Sequence, residues 1–150
     1  MAYWRLHYHA VWACKECRPL ITPEVEPELY RYLWQKGLHL QGIMHAIGGI
    51  EDHVHVVFSL PPKIAVASFI GNLKGASSYW ATKVLQLQEF DWHRGYGVVS
   101  FATKHLPHLI QYAQNQKMHH DAQTTRETLE RWSEEDDGVV MYWEEPGFSG

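Results

Sequence analysis

Glu51-Asp52-His53-Val54-His55-Val56-Val57-Phe58-Ser59-Leu60-Pro61-Pro62 is the stretch from which the fold can be worked out. Its second half is β-branched or aromatic, and the turn-forming pairs Gly48-Gly49 and Pro61-Pro62 flank it, which predicts a short strand. Side chains alternate along a strand, so His53 and His55 share one face while Val54 and Val56 share the other. The two imidazoles are either the fixed half of a metal site or polar residues on a half-exposed sheet face.

Composition predicts a single folded domain over residues 1–150. The chain has 150 residues, of which 45% are hydrophobic, and it contains no apolar run of membrane-spanning length. Its first residues lack a secretory pattern, so we expect a cytoplasmic protein. The formal net charge is −4. Any nucleic-acid site must therefore be a local patch.

The two cysteines, Cys14 and Cys17, form a C-x-x-C pair without the second pair that a four-cysteine zinc site needs. His7 and His9 could complete such a site in principle, but they lie in the same predicted strand and its exit. We therefore expect ordinary reduced thiols.

Hydrophobic periodicity and turn residues predict the order of elements along the chain. The first half is predicted to form a strand over Tyr3 to Ala13, a helix from Thr22-Pro23-Glu24 to Gly37, and two strands, one over His39 to Ile47 and one from His53. The second half is predicted to form a helix within Ile64 to Leu87, a strand over Gly95 to Phe101 and a helix over about 105–121. A short helix after a Thr124-x-x-Glu127 capping box and a tail over about 134–150 follow. The first strand should have one buried face, which carries Trp4 and Trp12.

This order of strand, helix, strand, strand, helix and strand is that of the ferredoxin-like fold. The predicted class is α+β, with a four-stranded antiparallel sheet, helices packed on one face and additional C-terminal helices.

The helix over 105–121 carries a second group of polar side chains. Tyr112 and Gln116 are four residues apart and share a helix face. The amide oxygen of Gln116 could supply a third metal ligand beside the histidine pair, and the Tyr112 hydroxyl could attack an electrophile that the ion polarises. Taken alone, a tyrosine and a glutamine at this spacing are more often a partly buried ring and a solvated amide.

Six blocks, in order, resemble the single-tyrosine transposases of the HUH endonuclease superfamily, the enzymes of insertion sequences of the 200 and 605 type and their relatives associated with repetitive extragenic palindromes. The blocks are Tyr8-His9-Ala10-Val11-Trp12, Lys15-x-x-Arg18-Pro19, Asp52-His53-Val54-His55, Gly71-Asn72-Leu73-Lys74-Gly75-x-Ser77-Ser78, Arg94-Gly95-Tyr96-Gly97 and Tyr112-x-x-Asn115-Gln116-x-x-His119-His120.

The resemblance implies that His53, His55 and Gln116 hold Mg²⁺ or Mn²⁺ and that Tyr112 is the catalytic nucleophile. It implies cleavage of single-stranded DNA at hairpin ends through a 5′-phosphotyrosine. It also implies a bacterial or archaeal cytoplasm, with nucleoid DNA as the substrate. It also implies a homodimer in which the tyrosine helix of one subunit completes the histidine pair of the other. Asp52 is either an outer-shell partner of the site or an ordinary turn residue.

For DNA binding we expect residues in the first loop, on the glycine-spaced helix, before the fourth strand and beside Gln116. These are Lys15, Arg18, Lys74, Ser77, Arg94 and Lys117. Tyr79, Trp80, Trp92 or Tyr96 could stack on bases. For any one of them a solvated cation or a core ring is the alternative.

Two other functions share parts of this pattern. A non-catalytic nucleic-acid-binding module can have the same order of elements, but it would not need His53, His55, Tyr112 and Gln116 together. A relaxase or replication initiator of the same superfamily usually has a longer chain.

Overall fold

A computed structural model describes residues 2–134. The elements are β1 (His7–Ala13), α1 (Glu26–His39), β2 (Ile43–Ile50), β3 (His53–Ser59), α2 (Val66–Lys83), β4 (Gly97–Phe101), α3 (Leu106–Gln114), α4 (Gln116–Ala122) and α5 (Glu127–Glu130), with 3₁₀ turns at Lys15–Cys17 and Thr103–His105. Among the described residues, no helix combines the length and the apolar character needed to cross a membrane.

The four strands form one antiparallel sheet in the order β2-β3-β1-β4. The two central strands pair along their full length, from His7 opposite Ser59 to Ala13 opposite His53. This is the ferredoxin-like arrangement, so the predicted fold class is confirmed. Because β3 is central and paired on both sides, it holds its side chains on a rigid support.

One face of the sheet forms the main core with α1 and α2. Even-numbered residues of β1 and β3, including Trp12, Val54 and Phe58, point into this core. They meet buried apolar residues of the two helices, such as Leu33 on α1 and Phe69 on α2. His53 and His55 therefore point to the opposite face, as the alternation along β3 predicts.

The opposite face is covered as well. Val57 of β3 and Ala46 of β2 pack against Leu109 and Ala113 of α3 and Leu129 of α5. The additional C-terminal helices therefore lie across the sheet from α1 and α2. As a result the first strand is buried on both faces, and the prediction of a single buried face is wrong.

Two glycines caused errors in the predicted boundaries. α1 continues past Gly37 to His39, because Gly37 packs against Met44 rather than ending the helix: a Cβ there would lie 2.3 Å from the Met44 sulfur. β2 runs from Ile43 through Gly48 and Gly49 to Ile50, so the predicted strand over 39–47 is displaced and the turn falls at residues 51–52. A Cβ on Gly48 would lie 1.7 Å from the carbonyl oxygen of Ala113, so this glycine allows α3 to approach.

Other boundaries also differ from prediction. β1 begins at His7 rather than Tyr3, and the helix predicted over about 105–121 is interrupted at Asn115, between α3 and α4. The Thr124 capping box is wrong, because α5 is preceded by Arg126 and the Thr124 hydroxyl is engaged by His119. The predicted tail over 134–150 lies, apart from residue 134, outside the described residues.

Candidate metal and tyrosine site

The histidine pair lies at the start of β3. The ring centroids of His53 and His55 are 5.0 Å apart. His53 is partly buried and donates from Nδ1 to Oδ1 of Asp52 at 2.7 Å, while His55 is fully buried. Asp52 therefore orients the His53 ring with Nε2 directed away from the turn.

His55 is oriented by a residue of the neighbouring strand. Its Nδ1 lies 2.9 Å from Nε2 of His9 on β1, and the protonated nitrogen of this pair donates to the other. Burial and the neighbouring His55 lower the pKa of His9 to about 3, so His9 is neutral. Burial also lowers the pKa of His55. This contact leaves Nε2 of His55 facing the same space as Nε2 of His53.

Glu130 of α5 lies at the centre of the site, and sequence reasoning missed it. Its Oε1 is 3.3 Å from Nε2 of His53, 3.2 Å from Nε2 of His55 and 3.4 Å from Nε2 of His120. Its Oε2 accepts a short hydrogen bond from the Tyr112 hydroxyl. A single carboxylate thus joins the histidine cluster to the tyrosine.

Tyr112 lies on α3, with its ring against the histidines. Its ring centroid is 5.8 Å from that of His55, and its hydroxyl also accepts from the backbone N–H of Arg126 at 2.8 Å. Burial and the hydrogen bond to Glu130 raise the pKa of Tyr112 to about 12. The phenol therefore keeps its proton at neutral pH.

Gln116 and the two histidines of α4 complete the surroundings. Gln116 is fully buried, its Oε1 accepts from Nε2 of His120 at 3.1 Å, and its Nε2 donates to the carbonyl oxygen of Tyr112. The His119 ring stacks on Tyr112 at 4.7 Å. The structure therefore places Gln116 next to the cluster through His120, and the role of Gln116 as a ligand stays a prediction.

The electrostatics of the site depend on its carboxylates. Burial alone would lower the pKa of His53, but Asp52 and Glu130 outweigh it and raise the pKa to about 9. Burial alone would raise the pKa of Glu130, but contacts with His53 and His55 hold it well below its usual range. Without a bound cation, His53 is thus the group that carries the compensating positive charge.

The cluster fits a divalent cation. One ligand atom from each of His53, His55, His120 and Glu130 can be chosen so that all four lie within 4.8 Å of one another. Nε2 of His53 is buried, and its one charged neighbour among the described residues is the Glu130 carboxylate at 3.3 Å, with which it makes no well-directed hydrogen bond. Oε1 of Glu130 lies 3.2–3.4 Å from the three nitrogens, so these four atoms are close enough to contact one ion.

A cavity of about 260 Å³ opens beside this cluster. Its lining includes Asp52, His53, His120 and Glu130, with Cys17 and Trp132 at the same opening. Cys17 is exposed and Cys14 is buried. The cavity gives a substrate a route to the exposed side of the cluster.

The six predicted DNA-binding residues fall into two groups. Lys15 and Arg94 are exposed, and Arg18 is exposed but paired with Glu89 at 2.8 Å. The Lys74 ammonium donates to the carbonyl oxygens of His93 and Gly95, Lys117 pairs with Glu26 at 2.8 Å, and Ser77 is fully buried and accepts from Trp92. The burial of Ser77 argues against a direct contact with DNA.

Comparisons with known proteins agree with this fold. The family described as "Transposase IS200 like" matches residues 2–116. Transposases for insertion sequence element IS200 of Salmonella typhimurium and of Salmonella typhi are each 31% identical over an alignment of 106 residues, and the alignment covers 63% of this chain. The chain spans 66% of the length of these relatives.

Two solved structures share the fold. One is a protein of Deinococcus radiodurans R1, provisionally assigned as a transposase, with a TM-score of 0.61 and 24% identity over 77% of this chain and 95% of that one. The other is a REP-associated tyrosine transposase bound to a REP hairpin, with a TM-score of 0.59 and 16% identity over 80% of this chain and 74% of that one.

Fold and site together define a ferredoxin-like protein with a tyrosine beside a histidine cluster. The chain belongs to the IS200-like transposase family. The family match ends at Gln116, so His120 and Glu130 lie beyond it.

Proposed function

We propose that this chain is a DNA transposase that cleaves and rejoins single-stranded DNA at hairpin-marked ends, with Tyr112 as the nucleophile. The observation that carries the proposal is the contact of Glu130 with Tyr112 on one side and with His53 and His55 on the other. Family membership supports the chemistry, and the structural neighbour bound to a REP hairpin supports the choice of substrate.

The cleavage step uses the phenol that Glu130 and Arg126 hold in place. Oη of Tyr112 attacks the phosphorus, a phosphotyrosine bond forms, and the bond from phosphorus to the 3′ oxygen breaks. Oε2 of Glu130 already accepts the phenol hydrogen bond and is positioned to take the proton as the new bond forms. The departing 3′ oxygen gains a proton and becomes a hydroxyl, which reverses the step when it attacks the phosphotyrosine.

We propose that His53, His55 and Glu130 hold the divalent cation, with His120 or Gln116 beside them. When bound, Mg²⁺ or Mn²⁺ would supply Lewis acidity at the non-bridging phosphate oxygens. Imidazole-rich sites suit Mn²⁺ better than Mg²⁺, which prefers oxygen ligands. Asp52 and His9 would orient the two β3 imidazoles from outside the ligand set.

The central test uses a labelled single-stranded hairpin with Mn²⁺ and looks for a protein–DNA adduct that survives denaturant. We expect the wild-type chain to form it, Tyr112→Phe to abolish it, and chelation of the metal to prevent it. Tyr30→Phe is the matched control, because the Tyr30 hydroxyl is buried without a hydrogen bond and its loss should leave the adduct unchanged. An adduct that persists in Tyr112→Phe would overturn the assignment, whereas tight binding without any adduct would favour a non-catalytic binding module.

The homodimer predicted from the resemblance stays a prediction. Tyr112 and the histidine pair come together within a single chain, so the arrangement does not need a partner. Mixing His55→Ala with Tyr112→Phe distinguishes the two cases. If each subunit uses its own tyrosine, the mixture stays inactive; if the tyrosine is exchanged between subunits, adduct formation returns.

A further inference from the structure

A second cavity, here called the N-terminal cavity, lies at the other end of the strands that carry the histidine cluster. It has a volume of about 420 Å³, and its lining includes Tyr3, Trp4, Arg5, His7, His45 and Ser59. His7 pairs with Ser59 at this end of the sheet, and Ala13 pairs with His53 at the other. Six residues of β3 separate Ser59 from His53, which is roughly 20 Å along the strand.

The floor of the N-terminal cavity is a preformed polar cluster on the same sheet face as His53 and His55. The Ser59 hydroxyl lies 2.6 Å from Nδ1 of His7 and 2.7 Å from Nε2 of His45. Nε2 of His7 lies 2.8 Å from the Thr103 hydroxyl, and the His7 ring stacks on Phe101. Ser59 and His7 are buried. These contacts fix the positions of the polar atoms before any ligand arrives.

The rim of the N-terminal cavity combines an exposed ring with a cation. Tyr3 is 82% exposed, although a tyrosine ring gains free energy by stacking. The Arg5 guanidinium lies 4.5 Å from the centroid of the Tyr3 ring and donates to the carbonyl oxygen of Trp4. An exposed aromatic ring beside a cation is the arrangement that single-strand-binding proteins use for one base and its phosphate.

The charges around the N-terminal cavity favour an anion. Its lining contains no aspartate or glutamate, although the chain has 17 acidic residues and a net charge of −4. A larger cavity of about 540 Å³ is lined by three cations and by three carboxylates that offset them: Lys15, Arg18 and Lys83 against Glu16, Glu89 and Asp91. Of the two, the N-terminal cavity is therefore the better place for a phosphate.

We propose that the N-terminal cavity binds one nucleotide of single-stranded DNA outside the cleavage site, with its base stacked on Tyr3 and its phosphate beside Arg5. This inference rests on the proposed function, because it takes the bound strand to be the one that Tyr112 cleaves. The strand would then be held at two points on one sheet face, at the histidine cluster and roughly 20 Å away. A volume of about 420 Å³ lies within the usual range of ligand pockets.

The test measures DNA binding in a Tyr112→Phe background, where no cleavage occurs. Two fluorescent DNAs are compared by anisotropy: a hairpin with a single-stranded flank and the same hairpin without it. Loss of one base–aromatic stack costs roughly fivefold to a hundredfold in affinity. We expect Tyr3→Ala to weaken binding of the flanked DNA about tenfold and to leave the unflanked hairpin unchanged, while Tyr3→Phe binds as the parent does.

Trp34→Ala is the control, since Trp34 is an exposed aromatic residue of α1 that does not line the N-terminal cavity. It should change the flank-dependent affinity less than twofold. Arg5→Gln should weaken binding of the flanked DNA alone. Equal binding by Tyr3→Ala and its parent, or equal losses with both DNAs, would overturn the inference. An adduct assay on the chain with Tyr112 intact distinguishes failure of this inference from failure of the proposed function. If the adduct forms but Tyr3→Ala has no effect on binding, only this inference is contradicted. If Tyr3→Ala weakens binding but no adduct forms, only the proposed catalysis is contradicted.

Discussion

The position of Glu130 determines most of the geometry of the candidate site. Its carboxylate contacts three imidazoles and the nucleophile candidate, and it comes from a four-residue helix 75 positions after His55. His53 and His55 could be identified from the sequence because the alternation of side chains along a strand depends only on neighbouring residues. No local rule links Glu130 to them, since its place depends on how the C-terminal helices fold back over the sheet. The only signal for this position in the sequence was the hydrophobic Leu129 next to Glu130, and it was too weak to predict a site residue.

His53 should make the stability of the metal-free protein depend on pH. Its pKa is raised from 6.5 to about 9 by Asp52 and Glu130, against the effect of burial. The folded state binds this proton more tightly, so the stabilisation is fully present below pH 6.5 and is lost as the pH rises through about 9. Relative to His53→Gln, the wild-type free energy of unfolding should fall by up to about 3 kcal/mol across that window. Urea unfolding in chelator between pH 6 and 10 measures this, and parallel profiles of the two proteins would contradict it.

His9 should control metal affinity without binding the metal. Its contact with Nδ1 of His55 leaves Nε2 of His55 facing the cluster. Loss of such an orienting partner typically costs 10- to 100-fold in affinity, and we expect a loss of this size for His9→Gln. Calorimetric titration of Mn²⁺ into metal-free protein measures it. His7→Gln is the control, because His7 is two residues away on the same face but contacts Ser59 and Thr103 instead. If both variants lose affinity equally, the effect is general to the sheet and not due to orientation.

At the scale of elements, local periodicity predicted the order of strands and helices but not where several of them end. Alternation along β1 and β3 and the order of elements were enough for the fold. Gly37 was interpreted as a helix end and Gly48 as a turn residue, although each position is a glycine because another element packs against it. The interruption at Asn115 was missed because the sequence from Tyr112 to His120 continues without glycine or proline. Tertiary contacts set these positions, and one sequence does not display them.

Gly48 and Gly71 should respond in opposite ways to the same substitution. A Cβ on Gly48 would lie 1.7 Å from the Ala113 carbonyl oxygen, so Gly48→Ala must displace α3 and should cost about 2 kcal/mol or more. A Cβ on Gly71 meets nothing within 4 Å, so Gly71→Ala should stabilise α2 by about 0.5–1 kcal/mol. Urea unfolding measures both. Because α3 carries Tyr112, Gly48→Ala should also reduce adduct formation, and a variant with normal activity would show that α3 can shift without consequence.

At the scale of the whole molecule, net charge and local charge point in different directions. The chain carries −4 overall, and the structure engages some of its cations internally. Lys74 donates to two backbone carbonyl oxygens, and burial lowers its pKa. Lys117 is paired with Glu26. Within the described residues, the predicted DNA-binding cations that are exposed and not paired with a carboxylate are Lys15 and Arg94, joined by Arg5 if the N-terminal cavity is used. DNA affinity should therefore depend on a few positions and not on a broad basic surface.

The salt dependence of DNA binding measures how many cations contact phosphates. Each phosphate contact with a single strand contributes about −0.7 to the slope of log affinity against log salt, so two contacts give about −1.4 and a third gives about −2. Between 50 and 200 mM salt a slope of −2 amounts to about a 16-fold loss of affinity. Changing Lys15 or Arg94 to Gln should flatten the slope by about 0.7 each. Arg18→Gln and Lys117→Gln should leave it nearly unchanged, because Glu89 and Glu26 occupy their side chains. Anisotropy titrations at four salt concentrations measure these slopes. A wild-type slope steeper than about −5 would mean that about seven or more cations contact the DNA, and would contradict binding through a few positions.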